Sequence, residues 1–295
     1  MIHTRILLPL LVLFATSNLP AQSNNQVSKT LYPKDLAATI AGSKKTYLEL
    51  IRQVLPDLKM SDTDPDVAMA HTTVPFKHLS EDAKPAVLEG DLKLDSFQPQ
   101  WINSEGRRIL LLELDVSSEN ANQGMNYEGE ATFLAAFNTA PAMKLLEVMD
   151  IKTDRFTGFW ETPAVFRLTA RTDSFLVYSE HSNAGESFVD LTMLFLNHNR
   201  FEIITNLFIF NTQGCGVGFI ETPHFRILPG GSQKYPKIAV NVVVKKEPDP
   251  PECDHRTRGY SWNYSMVYVW DSTKSEYKTN SRQMEALDKF NRDRN

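Results

Sequence analysis

Cysteine is scarce: only Cys215 and Cys253 occur in 295 residues. That excludes a multi-bridge scaffold and a Cys-rich zinc site. Basic charge is not in excess either. Lys and Arg number 31 against 36 Asp and Glu, a net charge of -5, whereas phosphate backbones are bound by basic surfaces. Nucleic acid is therefore excluded as the expected partner. No stretch reaches 18 consecutive apolar residues, so no helix is expected to span a bilayer. There is no G-x-S-x-G, no H-E-x-x-H and no phosphate-cradling glycine loop, so no catalytic or cofactor-binding motif is present and no cofactor is expected. With 42% hydrophobic and 23% charged residues, the chain has the composition of a globular protein rather than a disordered or collagen-like one.

What is present begins at the N-terminus. Arg5 precedes an apolar run, Ile6 to Phe14, broken only by Pro9, and small and polar residues lead to Ala21 and Gln22. A short basic start, a short apolar core and a small residue at the cut describe a secretory signal peptide over residues 1–21. The expected product is exported, periplasmic or secreted, and not stably inserted in a membrane after cleavage. In an exported chain two cysteines read first as a disulfide. A separation of 38 residues makes such a bridge worth about 4 kcal/mol in the chain-entropy description. A metal pair or a catalytic thiol would need further ligands, and only His255 is close in sequence.

Along the rest of the chain two periodicities alternate. Leu36, Ile40, Tyr47, Ile51 and Leu55 recur at helical spacing between Pro33 and Pro56, which predicts an amphipathic N-terminal helix with a weak point at Gly42. Residues 57–85 contain Pro65, Pro75 and Pro85 and read as a connection. Beyond Pro85 the period becomes two. Strands are expected near 86–94, 107–117, 131–138, 143–151, 164–171, 174–181, 187–197, 200–210, 236–246, 260–270 and 275–278. Ile238, Val240, Val242 and Val244 share one strand face; so do Trp262, Tyr264, Met266, Tyr268 and Trp270. Asn280 or Ser281 caps a short C-terminal helix over 281–292. The expected fold is mainly β, an antiparallel meander arranged as a propeller-like stack, a sandwich or a barrel, with a helix at each end. The expected organisation is a signal peptide (1–21), a leader, helix and connection (22–85) and a β domain (86–295).

Three stretches carry a resemblance: Leu145 to Arg155, Glu180 to Gly185, and Tyr268 to Asp271 followed by Tyr277 and the terminal helix. Together they resemble exported bacterial proteins rich in β-hairpins, and their layout is similar to the blade hairpins of FG-GAP-type β-propellers. The calcium loop Asp-x-Asp-x-Asp-Gly of that family is missing from these hairpins. The resemblance, over about residues 130–292, therefore implies a β-rich exported architecture and no activity or site.

Candidate chemistry is scattered. Asp62, Asp64 and Asp66 have calcium-loop spacing, but Val67 and Thr73 stand where the glycine and the bidentate acid belong, so a solvated acidic turn is expected. His71 and His78, seven apart with no third ligand nearby, do not form a zinc set. Asp150, Asp154 and Arg155 gather at a strand end, where two carboxylates can act as acid and base or simply build a turn. Glu180, His181 and Asn183 end a strand in a polar turn, and His is the side chain that titrates near neutral pH. These six residues are the candidate ligand-binding positions. The Trp262–Trp270 stripe reads as core, and Asn263 opens a glycosylation sequon. The expected function is a non-catalytic binding or interaction module acting on a protein, glycan or small ligand outside the cytoplasm. The alternative is an extracytoplasmic hydrolase using Asp150, Asp154 and His181.

Overall fold

A computed structural model describes residues 29–79, 85–118, 130–160, 165–229, 234–249, 253 and 258–294. The expected signal peptide and most of the leader lie outside the described residues. Helix is sparse from the start. Pro33–Asp35 make one 3-10 turn, and α1 (Tyr47–Ile51) is the only α-helix described before the sheets. The continuous helix expected over 33–55 is not formed. Gly42 takes φ 78° in a tight turn that brings Thr39 back against Thr46. Thr46 then starts α1 with a reciprocal cap: Glu49 N–H donates to Thr46 Oγ1 (3.2 Å) and Thr46 N–H to Glu49 Oε2 (2.9 Å). The apolar stripe is still used, because Leu36, Ile40, Ile51 and Leu55 are all buried; they reach the core from a folded-back segment instead of one helix face.

The first sheet holds β1 (Lys59–Met60), β2 (Ala68–Thr72), β3 (Lys77–His78), β4 (Glu89–Ser104), β5 (Arg107–Ser118), β6 (Glu130–Asn138) and β7 (Lys144–Asp150). Its order is β1-β2-β4-β5-β6-β7-β3, antiparallel except for β3 beside β7. The second holds β8 (Phe156–Phe159), β9 (Val165–Thr169), β10 (Thr172–Asn183), β11 (Glu186–Asn197), β12 (Arg200–Thr212), β13 (Phe219–Ile227), β14 (Ile238–Lys246), β15 (Tyr260–Asp271) and β16 (Glu276–Lys278). It runs β16-β15-β14-β13-β12-β11-β10-β8, with β9 also on β10. The helix α2 (Gln283–Arg292) follows. The fold is thus mainly β and antiparallel, and no closed barrel forms. Sheets of seven and nine strands are not the four-stranded blades of a propeller. Among the described residues no helix is long and apolar enough to cross a membrane.

Three apolar layers hold the sheets. Leu110, Leu112, Leu114, Phe133 and Phe137 face the N-terminal segment. Ile109, Leu111 and Leu134 pack with Phe175, Val177 and Leu194 of the other sheet. The second sheet's remaining face buries Val240, Met266, Tyr268 and Trp270, so the aromatic stripe of β15 is core as expected. Both faces of β5 and β6 are therefore covered, which explains their near-continuous hydrophobic runs.

Cys215 and Cys253 lie at bonding distance, with a 1.96 Å S–S separation and Cα atoms 5.6 Å apart.

One join in the second sheet is unusual. β12 and β13 share a single residue pair, Thr212 with Phe219, and side chains close the remaining seam. Phe210 N–H donates to Glu221 Oε2 (3.1 Å), and Glu221 N–H donates to Asn211 Oδ1 (2.7 Å). From the C-terminal end, Asn291 Nδ2 donates to Phe208 O (3.0 Å) and Arg294 Nη2 to Phe210 O (3.0 Å). Arg294 also pairs with the buried Glu221 carboxylate. The end of α2 thus satisfies backbone groups that a neighbouring strand would otherwise take.

Candidate functional site

The expected candidates separate into two groups. Asp150, at the end of β7, is buried and fully engaged. Its Oδ1 accepts from Thr132 N–H (3.2 Å) and Lys152 N–H (3.1 Å), and its Oδ2 meets His78 Nδ1 at 2.9 Å. Burial raises its carboxyl above the ordinary range in spite of those partners. Asp154 sits in the turn from β7 to β8, where Ser179 Oγ accepts from the Thr153 and Asp154 N–H groups, each at 3.1 Å. Its carboxylate takes Arg155 N–H (2.7 Å) and pairs with His181 Nδ1. The His181 ring stacks on Phe188 at 4.5 Å, which in turn stacks on Phe210 at 4.7 Å. Glu180 lies opposite Phe156 in the β8–β10 register. Asn183, opposite Glu186, is exposed where the β10–β11 hairpin turns through Gly185.

The structure therefore joins Asp154 to His181 and assigns Asp150 to His78. An Asp–His pair activates a nucleophile only when a hydroxyl or thiol sits on the imidazole's other nitrogen. Among the described residues none is hydrogen-bonded to His181, and both cysteines are joined to each other. Asp150, Asp154 and His181 line neither of the two hollows described next; of the six candidates Arg155 lines one.

The cavities lie where the first sheet meets the free edge of β8. On the face of β4, β5 and β6 that covers the second sheet, apolar residues give way to polar ones. Ile109 and Leu111 are followed by Glu113 and Asp115, with Gln98 opposite Glu113 and Ser96 and Thr132 opposite Asp115. A hollow of about 450 Å³ is lined by Glu113, Asp115, Ser96, Gln98, Gly158 and Tyr178, among others. A second, of about 310 Å³, shares Asp115, Thr157 and Tyr178 with it and adds Asp95, Glu130, Lys152 and Arg155.

Each acid is placed by the strands around it. Glu113 Oε2 accepts from Phe159 N–H (3.1 Å), an amide on the free edge of β8. Asp115 accepts from Ser96 Oγ (2.7 Å) and Thr132 Oγ1 (3.0 Å). Ser117 Oγ donates to Asp95 (2.5 Å), and Lys152 Nζ pairs with Glu130 at 3.0 Å. Burial, and then the charge of Asp115, push the Glu113 carboxyl well above its ordinary range. Burial also raises Asp115, against the hydroxyls that hold its charged form.

No protein family, curated protein or solved structure matches this chain. The chemistry of the cleft is therefore the guide to function. Among the described residues no group of three or more His, Cys, Asp or Glu is placed to hold a metal ion. Glu113 and Asp115 project from the same side of one strand, so they do not flank a bond from opposite sides as paired glycosidase carboxylates do. What the cleft offers is a concave, polar, partly buried surface with fixed acceptors.

Sequence reasoning passed over Glu113 and Asp115. Their signal was present: two acids alternating with leucines in Ile109 to Val116, a run apolar enough to be covered on both faces. Acids in such a strand either pair or meet a solvent-filled hollow.

Proposed function

We propose that this protein is a non-catalytic binding module that works outside the cytoplasm and takes a small polar ligand in the cleft beside β8. The observation that carries the reading is the concentration of half-buried polar side chains, with the buried Glu113 among them, around two adjoining hollows, about 450 and 310 Å³. That size range suits small-molecule sites. Support for export comes from the apolar N-terminal run and from the Cys215–Cys253 pair, since disulfides persist in oxidising compartments. The hydrolase alternative is weaker, because among the described residues no hydroxyl or thiol is hydrogen-bonded to His181 and the Asp154–His181 pair lines neither hollow.

The test is a thermal-shift panel of sugars, cell-wall fragments, amines, short peptides and divalent metals. It is run on wild type and on Gly158→Val, whose bulk would enter the hollow: even a Cβ at 158 lies 3.3 Å from Glu113 Oε1. A ligand at 100 times its Kd stabilises by about 2.7 kcal/mol. The expected result is a ligand that raises the melting point of wild type and not of the folded variant. Silence across the panel, equal shifts in both proteins, or turnover of an ester or glycoside probe would overturn the reading. Its export component is checked separately. Protein recovered from an exporting host should begin near Gln22, and an intact Met1 would reject it.

A further inference from the structure

We propose that the larger hollow recognises its ligand through a primary ammonium group held between Glu113 and Asp115. This deepens the binding-module reading and rests on it. A buried carboxylate is paired, coordinates a metal or takes up a proton; among the described residues Glu113 meets no cation, while the half-buried Asp115 feels the charge of Lys152. Glu113 is 5% exposed, and its one hydrogen bond among the described residues is Phe159 N–H to Oε2. Its Oε1 faces the hollow. Among the described residues Asp115 accepts from the hydroxyls of Ser96 and Thr132.

The basic groups nearby are used elsewhere or stand at the rim. Lys152 Nζ binds Glu130 and the Arg155 carbonyl oxygen (3.1 Å). Arg155 lies over the exposed Phe156 ring at 5.5 Å, and Asp95 is paired with Lys93 at 2.9 Å. Lys29, the one basic side chain lining the larger hollow among the described residues, is exposed. Tyr178 is the remaining titratable wall, and a phenol stays neutral near pH 7. Among the described residues, therefore, no cation is hydrogen-bonded to either member of the inner pair.

Gly158 completes the wall. Having no side chain, it leaves open the approach to Glu113 Oε1, and a Cβ would also sit 3.5 Å from the Tyr178 ring. An ammonium has three donors. It can give one to each carboxylate and keep the third for water.

An ammonium beside Glu113 favours the ionised carboxylate, against the burial that favours its protonated form in the free protein. Whatever proton Glu113 carries is released to solvent on binding and leaves a carboxylate–ammonium pair.

The experiment is titration calorimetry of the whole protein at pH 7 with 1,4-diaminobutane, n-butylamine and the neutral 1,4-butanediol, in buffers of differing ionisation enthalpy. The expected result is binding of both amines with proton release and no binding of the diol. Glu113→Gln keeps the acceptor for Phe159 N–H. It should weaken amine binding about 30-fold or more and remove the buffer dependence, while the protein stays folded by circular dichroism. Asp115→Asn should weaken binding in the same direction. Diol binding equal to diamine, or unchanged affinity in Glu113→Gln, would overturn the ammonium assignment. A sugar or peptide blocked by Gly158→Val while amines stay silent would overturn it and leave the binding module standing. Silence of every compound overturns both.

Discussion

Replacing Arg294 with alanine is expected to lower the unfolding free energy by about 3–5 kcal/mol, the cost of stranding one partner of a buried ion pair. Arg294 holds the Glu221 carboxylate, whose side chain has no exposed surface, and gives a hydrogen bond to Phe210 O. Its guanidinium lies 4.1 Å over the Phe290 ring and 4.8 Å over Phe219. Burial raises the Glu221 carboxyl even with Arg294 beside it, so loss of the guanidinium leaves an acid that is desolvated without compensation. The seam between β12 and β13 would also lose a backbone partner. Urea denaturation measures the effect; a change under about 1 kcal/mol would mean the seam is held without the C-terminal end. The double variant Glu221→Gln with Arg294→Met should recover most of the loss, because a neutral amide still accepts from Phe210 N–H and methionine refills the aromatic pocket. Additive losses instead would show that packing, not charge, carries the seam.

That seam also shows why some strands were hard to read. Residues 95–104 and 219–227 were not among the expected strands, and each holds a proline, which cannot donate to a ladder. Pro99 and Pro223 pair with Leu112 and Val242 on one side only, and on the other side no ladder asks for their missing N–H. Where turn chemistry was local, it was readable. Asn197-His198-Asn199 marked the end of a strand, and His198 and Asn199 do take φ 50° and 66° in the two-residue link between β11 and β12. In the N-terminal segment, burial was legible and geometry was not. Leu36 and Ile40 satisfied a helical period, but the Thr46–Glu49 capping box and Gly42 divide the segment. The candidate site was readable only in pieces. Asp154 and His181 could be nominated singly, but their pairing depends on a β8–β10 register spanning 27 residues. Glu113 stood out only once both faces of β5 were known to be covered.

Glu113 leads to the second large expectation: Glu113→Gln should be more stable than wild type at pH 8 and equal to it near pH 4. Burial raises the folded-state carboxyl pKa well above the unfolded value, which is about 4.3. Between those two values the folded protein binds the extra proton. The stability linked to this group is therefore fully present below the unfolded pKa and is lost as pH rises through the folded one. Above that point wild type carries a desolvated carboxylate whose penalty is about 1–3 kcal/mol, and glutamine removes it. Asp115 and Asp150, also raised by burial, act with the same sign, so wild type itself should be more stable at pH 5 than these groups allow at pH 8. Exposed Glu49, held low by Lys45 and Thr46, has the opposite sign and serves as the contrast. Urea titrations of wild type and Glu113→Gln at pH 4, 6 and 8 test this, with the gap between them widening as pH rises. A variant less stable at every pH would mean that the Glu113 charge is already compensated in the free protein. The case for an incoming cation would then fall with it, because a ligand can relieve only a penalty that the free protein carries.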